Sequence, residues 1–111
     1  MNQIELNDFD LDHAMLAAAG STLLIFTGAG CAACRVARRE LPAMLLPVER
    51  LGWVDAGDNP GAASRYEVFH LPAFFVIHDG AFMGEIHSRM IANDLAAAIG
   101  LALGRDADEL P

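Results

Sequence analysis

An unbroken apolar run, "STLLIFTG" at residues 21–28, is the feature that most restricts how this chain can fold. A strand with one face in water alternates polar and apolar residues. A continuous apolar run bounded by turn residues is instead typical of a strand buried on both faces. Such a strand needs other elements above and below it, so the run predicts a layered α/β fold.

Strand-like and helix-like patterns alternate along the rest of the chain. Further strands are predicted at residues 2–6, 51–57 and twice within 72–87, where Asp79-Gly80 is a strong hairpin signal. Helices are predicted at residues 8–20, about 31–48 with a kink at Pro42, 59–68 and 90–104. The capping candidates are Asp8 or Asp10 for the first helix and Asp58 or Asn59 for the third. The order β-α-β-α-β-α-β-β-α predicts one three-layer domain over residues 1–111, in which 104–111 form a frayed acidic tail.

Charge limits the possible partners and locations. The net charge of −8 argues against nucleic acid or an anionic membrane surface as a partner. No charged residue lies between Ala14 and Cys34, a length that could span a bilayer, but glycine and hydroxyl residues divide this stretch. The residues before it are acidic, whereas a secretory signal begins with positive charge. We therefore expect a cytoplasmic protein.

The only two cysteines, Cys31 and Cys34, follow the buried strand and open the next helix. The N–H groups and the positive dipole at a helix N-terminus stabilise a thiolate. This setting predicts Cys31 as an exposed nucleophile and Cys34 as a buried resolving thiol. A structural zinc site needs four ligands, of which one C-x-x-C supplies two. The chain has four histidines, His13, His70, His78 and His87. Because they are scattered along the sequence, no metal site is predicted.

From Phe9 to Leu103 the sequence resembles the thioredoxin family. Three features carry the resemblance: "CAAC" after a buried strand, "DNPGAASRYEVFHLPAFFVIHDG" from residue 58, and the closing helix. The resemblance implies the thioredoxin fold, an α/β/α arrangement whose central mixed sheet ends in a C-terminal β-hairpin and helix. It also implies a cis Leu71-Pro72 bond that faces the cysteines. The residues expected to bind substrate are Gly30, Ala32, Ala33, Leu71 and Pro72.

The family's activity is thiol–disulfide exchange with protein disulfides, which contributes to electron transport and to cell redox homeostasis. The resemblance therefore implies a Cys31–Cys34 redox disulfide, disulfide-containing clients and an external reductant, an NADPH-dependent flavoprotein reductase. No bound cofactor is expected, and we expect a monomer. His70, two residues before Pro72, is a candidate for proton transfer.

Several positions depart from the family pattern. Gly30 stands where the family has tryptophan, and Ala32-Ala33 replaces Gly-Pro between the cysteines. Ile25 occupies the position of a buried aspartate, and Trp53 that of its partner lysine. Since Ile25 offers no proton acceptor, we expect Cys34 to attack slowly near pH 7 and faster as the pH rises, unless His70 or water substitutes.

Two alternatives remain open at this point. The first is a thioredoxin-like binding or chaperone module with little redox turnover. The second is an iron–sulfur or zinc site shared by two chains, each of which contributes one C-x-x-C.

Overall fold

The computed structural model describes residues 1–111, which form a five-stranded sheet between two layers of helices. The strands are β1 (Asn2–Leu6), β2 (Ser21–Thr27), β3 (Arg50–Asp55), β4 (Ala73–His78) and β5 (Ala81–Ile86). The helices are α1 (Leu11–Ala17), α2 (Ala32–Glu40), α3 (Pro60–Arg65) and α4 (Ala92–Leu103). None of these helices has both the length and the apolar character that a membrane-spanning helix needs.

The sheet is mixed, with strand order β1-β3-β2-β4-β5. The first three strands in this order run parallel, and β4 and β5 run antiparallel to their neighbours. The predicted central strand is confirmed, because all seven residues of β2 are buried. The hairpin turn at Asp79 and Gly80 is also confirmed. Both residues have positive φ, +49° and +78°, as a two-residue turn of the favoured type requires.

Two apolar cores lie on opposite faces of the sheet. The first packs α2 and α4 against residues that include Ile25 and Trp53. The second packs α1 and α3 against residues that include Phe26 and Phe75. Because alternate residues of a strand point to opposite faces, neighbouring positions of β2 contribute to different cores. This arrangement is the predicted three-layer architecture.

The second helix is shorter than predicted. Instead of continuing to Val48 with a kink, α2 ends at Glu40, a 3₁₀ turn covers Leu41–Ala43, and the chain is irregular from there to β3. Pro42 has no N–H to donate and its ring crowds the preceding turn, so the α-helical pattern stops rather than bends. Pro47 extends the irregular segment.

The start of α3 is capped from outside the helix. Asn59 occupies the N-cap position, but its side chain makes no capping bond. Instead, the Asp8 carboxylate accepts hydrogen bonds from the N–H groups of Gly61 and Ala62, at 3.2 and 2.7 Å. Asn59 Oδ1 accepts one in turn from the N–H of Asp8, at 2.9 Å. The contact fixes the loop after β1 against α3.

The chain end is paired with the sheet, in contrast to the frayed tail expected for residues 104–111. Phe82 and Asp108 exchange two backbone hydrogen bonds of 2.8 and 3.0 Å. Arg105 Nη1 donates to the carbonyls of Met83 and Glu85, at 3.2 and 2.8 Å, beside Gly84. Strand β5 lies at the sheet edge, where its backbone groups would otherwise have no protein partner.

Tyr66 lies in the second core and gives a stability prediction at high pH. Its hydroxyl is buried without a hydrogen-bond partner, and burial raises its pKa to about 12 from 10.0. Below pH 10 the phenol is protonated in both the folded and the unfolded protein. Its contribution to the free energy of unfolding is therefore fully present in that range. Between pH 10 and about 12 only the unfolded state loses the proton, so the free energy of unfolding falls as the pH rises.

Because this is the only tyrosine, phenolate absorbance follows it directly. We expect a midpoint near 12 in the folded protein. Tyr66→Phe should keep the packing, remove an unsatisfied buried hydroxyl and raise the free energy of unfolding by about 1 kcal/mol at pH 7. A folded-state midpoint at the ordinary value would contradict the burial of the hydroxyl.

Candidate active site at the start of helix α2

The cysteine pair lies where the chain leaves the buried strand and enters α2. A short loop, Gly28–Gly30, leads from β2 to this pair. Gly30 has a φ of +76°, a conformation that a residue with a side chain rarely adopts. Cys31 is the N-cap of α2, and its sulfur accepts a hydrogen bond from the N–H of Cys34 at 3.1 Å. The two cysteines form a disulfide, with their Cα atoms 5.2 Å apart.

The two cysteines differ in exposure. Cys34 is 2% exposed beneath the first turn of α2, whereas Cys31 is half-buried at its tip. Gly30, Ala32 and Ala33 are all exposed around it. An approaching molecule therefore meets small side chains and the Cys31 end of the disulfide first.

The loop before β4 faces this tip. The Leu71–Pro72 peptide bond is cis, as the resemblance implied. Pro72 and Ala33 line one cleft of about 270 Å³, so the fold brings the loop and the cysteine motif together. Leu71 packs so closely on Gly28 that a Cβ there would lie 2.7 Å from its Cδ1. Phe69, in the same loop, is 89% exposed.

A second cleft, of about 280 Å³, is lined by Cys34. It is also lined by Asp55, Arg35 and Arg38. Asp55 ends β3 two residues after Trp53, so both side chains lie on the α2 face of the sheet. Its Oδ1 accepts a hydrogen bond from the N–H of Asp58 at 3.0 Å. Sequence reasoning missed this carboxylate, although its position at the end of a strand next to the cysteine strand was a usable signal.

The sheet beneath the site is apolar. Ile25 and Trp53 are adjacent in the β2–β3 register, and both are fully buried. The indole Nε1 donates to Gln3 Oε1 at 2.9 Å, and the guanidinium of Arg38 lies 4.2 Å from the centre of the ring. Arg38 is also ion-paired with Glu5. Packed apolar groups, with an arginine above them, thus occupy the two positions at which the resemblance implied a buried acid and its partner lysine.

Two of the histidines that are scattered in the sequence converge in the structure. His70 Nε2 lies 3.4 Å from Glu85 Oε2, and His87 Nε2 lies 3.7 Å from Glu85 Oε1. The spacing Glu85-x-His87 was the available signal, because residues two apart share one face of a strand. His70 is added by the loop before Pro72, which no local pattern reveals.

Comparison with solved structures identifies the architecture. The fold is similar to that of reduced Schistosoma mansoni thioredoxin, with a TM-score of 0.68 and 19% identity over 93% of this chain and 97% of that chain. It is also similar to the zinc-bound form of human ERp44, with a TM-score of 0.64 and 18% identity. That match covers 90% of this chain and 32% of ERp44. Neither a protein-family model nor a curated protein matches the sequence. The chain thus has the thioredoxin fold, with a disulfide-forming cysteine pair at the start of α2.

Proposed function

We propose that the protein is a thiol–disulfide oxidoreductase that exchanges electrons with protein disulfides through Cys31 and Cys34. The observation that carries the proposal is the disulfide at the N-terminus of α2, where the Cys31 sulfur accepts a hydrogen bond from the N–H of Cys34. A sulfur in this position is stabilised as a thiolate by a hydrogen bond and by the helix dipole. The thiolate is the nucleophile in exchange.

The reaction then has two displacements. The Cys31 thiolate attacks one sulfur of a client disulfide, forms a mixed disulfide and releases the other client sulfur as a thiolate. Cys34 loses its proton and attacks the Cys31 sulfur, which releases the second client thiolate and leaves the Cys31–Cys34 disulfide. The client gains two electrons, and the protein loses two. An external reductant, for which we propose an NADPH-dependent flavoprotein reductase, restores the dithiol.

The surface around the tip suits an extended client segment. The exposed small residues Gly30, Ala32 and Ala33 leave the disulfide accessible. Across the cleft, Leu71 and Pro72 present a partly exposed apolar wall, to which Phe69 adds an exposed ring. Apolar side chains next to the client's disulfide would bind here, and its backbone would lie along the loop before Pro72.

Asp55 is our candidate for the group that accepts the Cys34 proton. Burial disfavours the charged form of a thiol, so a buried resolving cysteine needs an acceptor. Ile25 cannot provide one, but the Asp55 carboxylate lines the same cleft as Cys34. The cleft is open enough to hold water, through which a proton can pass to the carboxylate.

Reduction of a protein disulfide with dithiothreitol as electron source tests the main proposal. We expect wild-type protein to accelerate insulin reduction and Cys31→Ser to be inactive, because the first displacement needs that thiolate. In the reduced protein, iodoacetamide should label Cys31 faster than Cys34 at neutral pH, as mass spectrometry of quenched samples would show.

The alternative reading, a binding module with little redox turnover, is favoured by the exposed Phe69 ring. It predicts an intact disulfide and no acceleration of insulin reduction. It also predicts that the protein suppresses the aggregation of unfolded clients and that Cys31→Ser does so equally well.

In the labelling experiment, faster reaction of Cys34 than of Cys31 with iodoacetamide would reverse the assignment of the two cysteines.

A further inference from the structure

We propose that His70, Glu85 and His87 form a binding site for Zn²⁺ beside the cysteine motif. Each residue offers one donor atom, and the three atoms lie within 4.8 Å of one another. They come from two separate segments: His70 from the loop before β4, Glu85 from the end of β5, and His87 from the residue that follows β5. The proposal does not depend on thiol–disulfide exchange.

The spacing fits a tetrahedral metal. Two ligands that each lie about 2.0–2.1 Å from a tetrahedral zinc are about 3.4 Å apart. The separation of His70 Nε2 from Glu85 Oε2 is 3.4 Å, and that of His87 Nε2 from Glu85 Oε1 is 3.7 Å. The imidazole rings have their centroids 5.8 Å apart. The two imidazoles contact different oxygens of Glu85, so side-chain rotation has to bring one donor from each residue, now within 4.8 Å of one another, to this spacing. Both histidines are exposed and Glu85 is half-buried, which leaves the rings free to rotate.

The donor types favour a transition metal over Mg²⁺ or Ca²⁺. Two imidazoles and one carboxylate suit Zn²⁺, whereas Mg²⁺ and Ca²⁺ prefer oxygen ligands alone. Three protein ligands leave a fourth position for water or for a donor group from another molecule. Charge also favours a bound cation. The chain as a whole carries a net charge of −8, and at the site Glu85 supplies a negative group between the two rings.

The site lies at the client cleft. His70 and His87 line the same cleft as Ala33 and Pro72. A bound ion would therefore occupy the edge of the surface that we assign to the client. This consequence, unlike the metal site itself, depends on the proposed function.

Titration of the oxidised protein with ZnCl₂ tests the site without interference from the thiols, since both sulfurs are then in the disulfide. We expect one Zn²⁺ per chain by calorimetry and no binding of Mg²⁺. Loss of an outer-shell partner of a metal ligand costs about 10–100-fold in affinity, so loss of a ligand itself should cost at least about 100-fold. His70→Ala, Glu85→Gln and His87→Ala should each show this loss, while His13→Ala, at an exposed position of α1, should bind like the wild type.

Co²⁺ gives an independent readout. Tetrahedral Co²⁺ bound to the oxidised protein should absorb in the visible range without a sulfur-to-metal charge-transfer band. Absence of stoichiometric Zn²⁺ binding, or binding that is unchanged in His70→Ala and His87→Ala, would overturn the site.

The effect on turnover separates the two proposals. In a single turnover of reduced protein freed of dithiothreitol, which itself binds Zn²⁺, the ion should inhibit exchange with a client disulfide more strongly in the wild type than in His87→Ala, because any binding to the dithiol is common to both proteins. Equal inhibition would show that the bound ion does not obstruct the client. An inactive wild type that still binds Zn²⁺ in the oxidised form would refute the oxidoreductase and leave the metal site standing.

Discussion

Replacing Cys34 by serine is expected to leave the protein covalently joined to its clients. Cys31 still attacks the client disulfide, but no second thiol is present to displace the client from the mixed disulfide. Turnover should fall at least about 10³-fold, as when one member of a cooperating catalytic set is removed. Pull-down with the pre-reduced variant from a lysate without added reductant, followed by elution with dithiothreitol, should recover the trapped proteins.

Cys31→Ser is the matched control for this variant. It loses the same disulfide and has the same net composition, so any difference between the two variants reflects the position of the remaining thiol. Cys34 is almost fully buried and should therefore capture very little. Equal yields of reducible adducts from both variants would contradict the assignment of Cys31 as the nucleophile.

Asp55→Asn is expected to slow the second displacement at neutral pH. A positioned general base contributes about 10²–10⁴-fold to a proton transfer, and we expect a loss near the lower limit because the cleft is open to water. Stopped-flow release of a client thiol from a preformed mixed disulfide isolates this step. The wild type should be fast and nearly flat from pH 6 to 9, and Asp55→Asn slow near pH 7 and faster as hydroxide becomes available.

Asp58→Asn provides the control, since it removes an equal charge three residues away and keeps the backbone N–H that bonds to Asp55. Ile25→Asp distinguishes the two explanations of proton loss. A slow wild type that Ile25→Asp accelerates would support the expectation drawn from the sequence and exclude Asp55 as the acceptor. The same substitution places a carboxyl in a fully buried strand and should lower the free energy of unfolding by about 1–3 kcal/mol.

The features predicted from sequence are those that neighbouring residues determine. The apolar run of β2 needed no knowledge of its partners, because continuous burial is visible in the residues themselves. The Asp79-Gly80 turn is likewise local, since both residues tolerate positive φ. Cys31 and Cys34 are three residues apart, so their proximity follows from one turn of helix.

The features that sequence reasoning missed depend on contacts between distant segments. Asp8 was a candidate cap for the first helix, yet its carboxylate caps α3, because the parallel arrangement of the sheet brings these two loops together. His70 and Glu85 meet for the same kind of reason. The pairing of Asp108 with β5 was equally invisible, since an acidic, proline-terminated segment has no strand pattern of its own.

The single tryptophan and the single tyrosine lie where each can serve as an intrinsic spectroscopic probe of one layer of helices. Trp53 lies fully buried in the core beneath α2, and Tyr66 lies in the core on the opposite face of the sheet. Indole fluorescence thus reports on the packing of the α2 and α4 layer, and near-ultraviolet tyrosine signals report on the packing of the α1 and α3 layer. No engineered label is needed. Coincident urea transitions from the two probes would identify a single cooperative unit. Separated transitions would reveal that one helical layer detaches before the other.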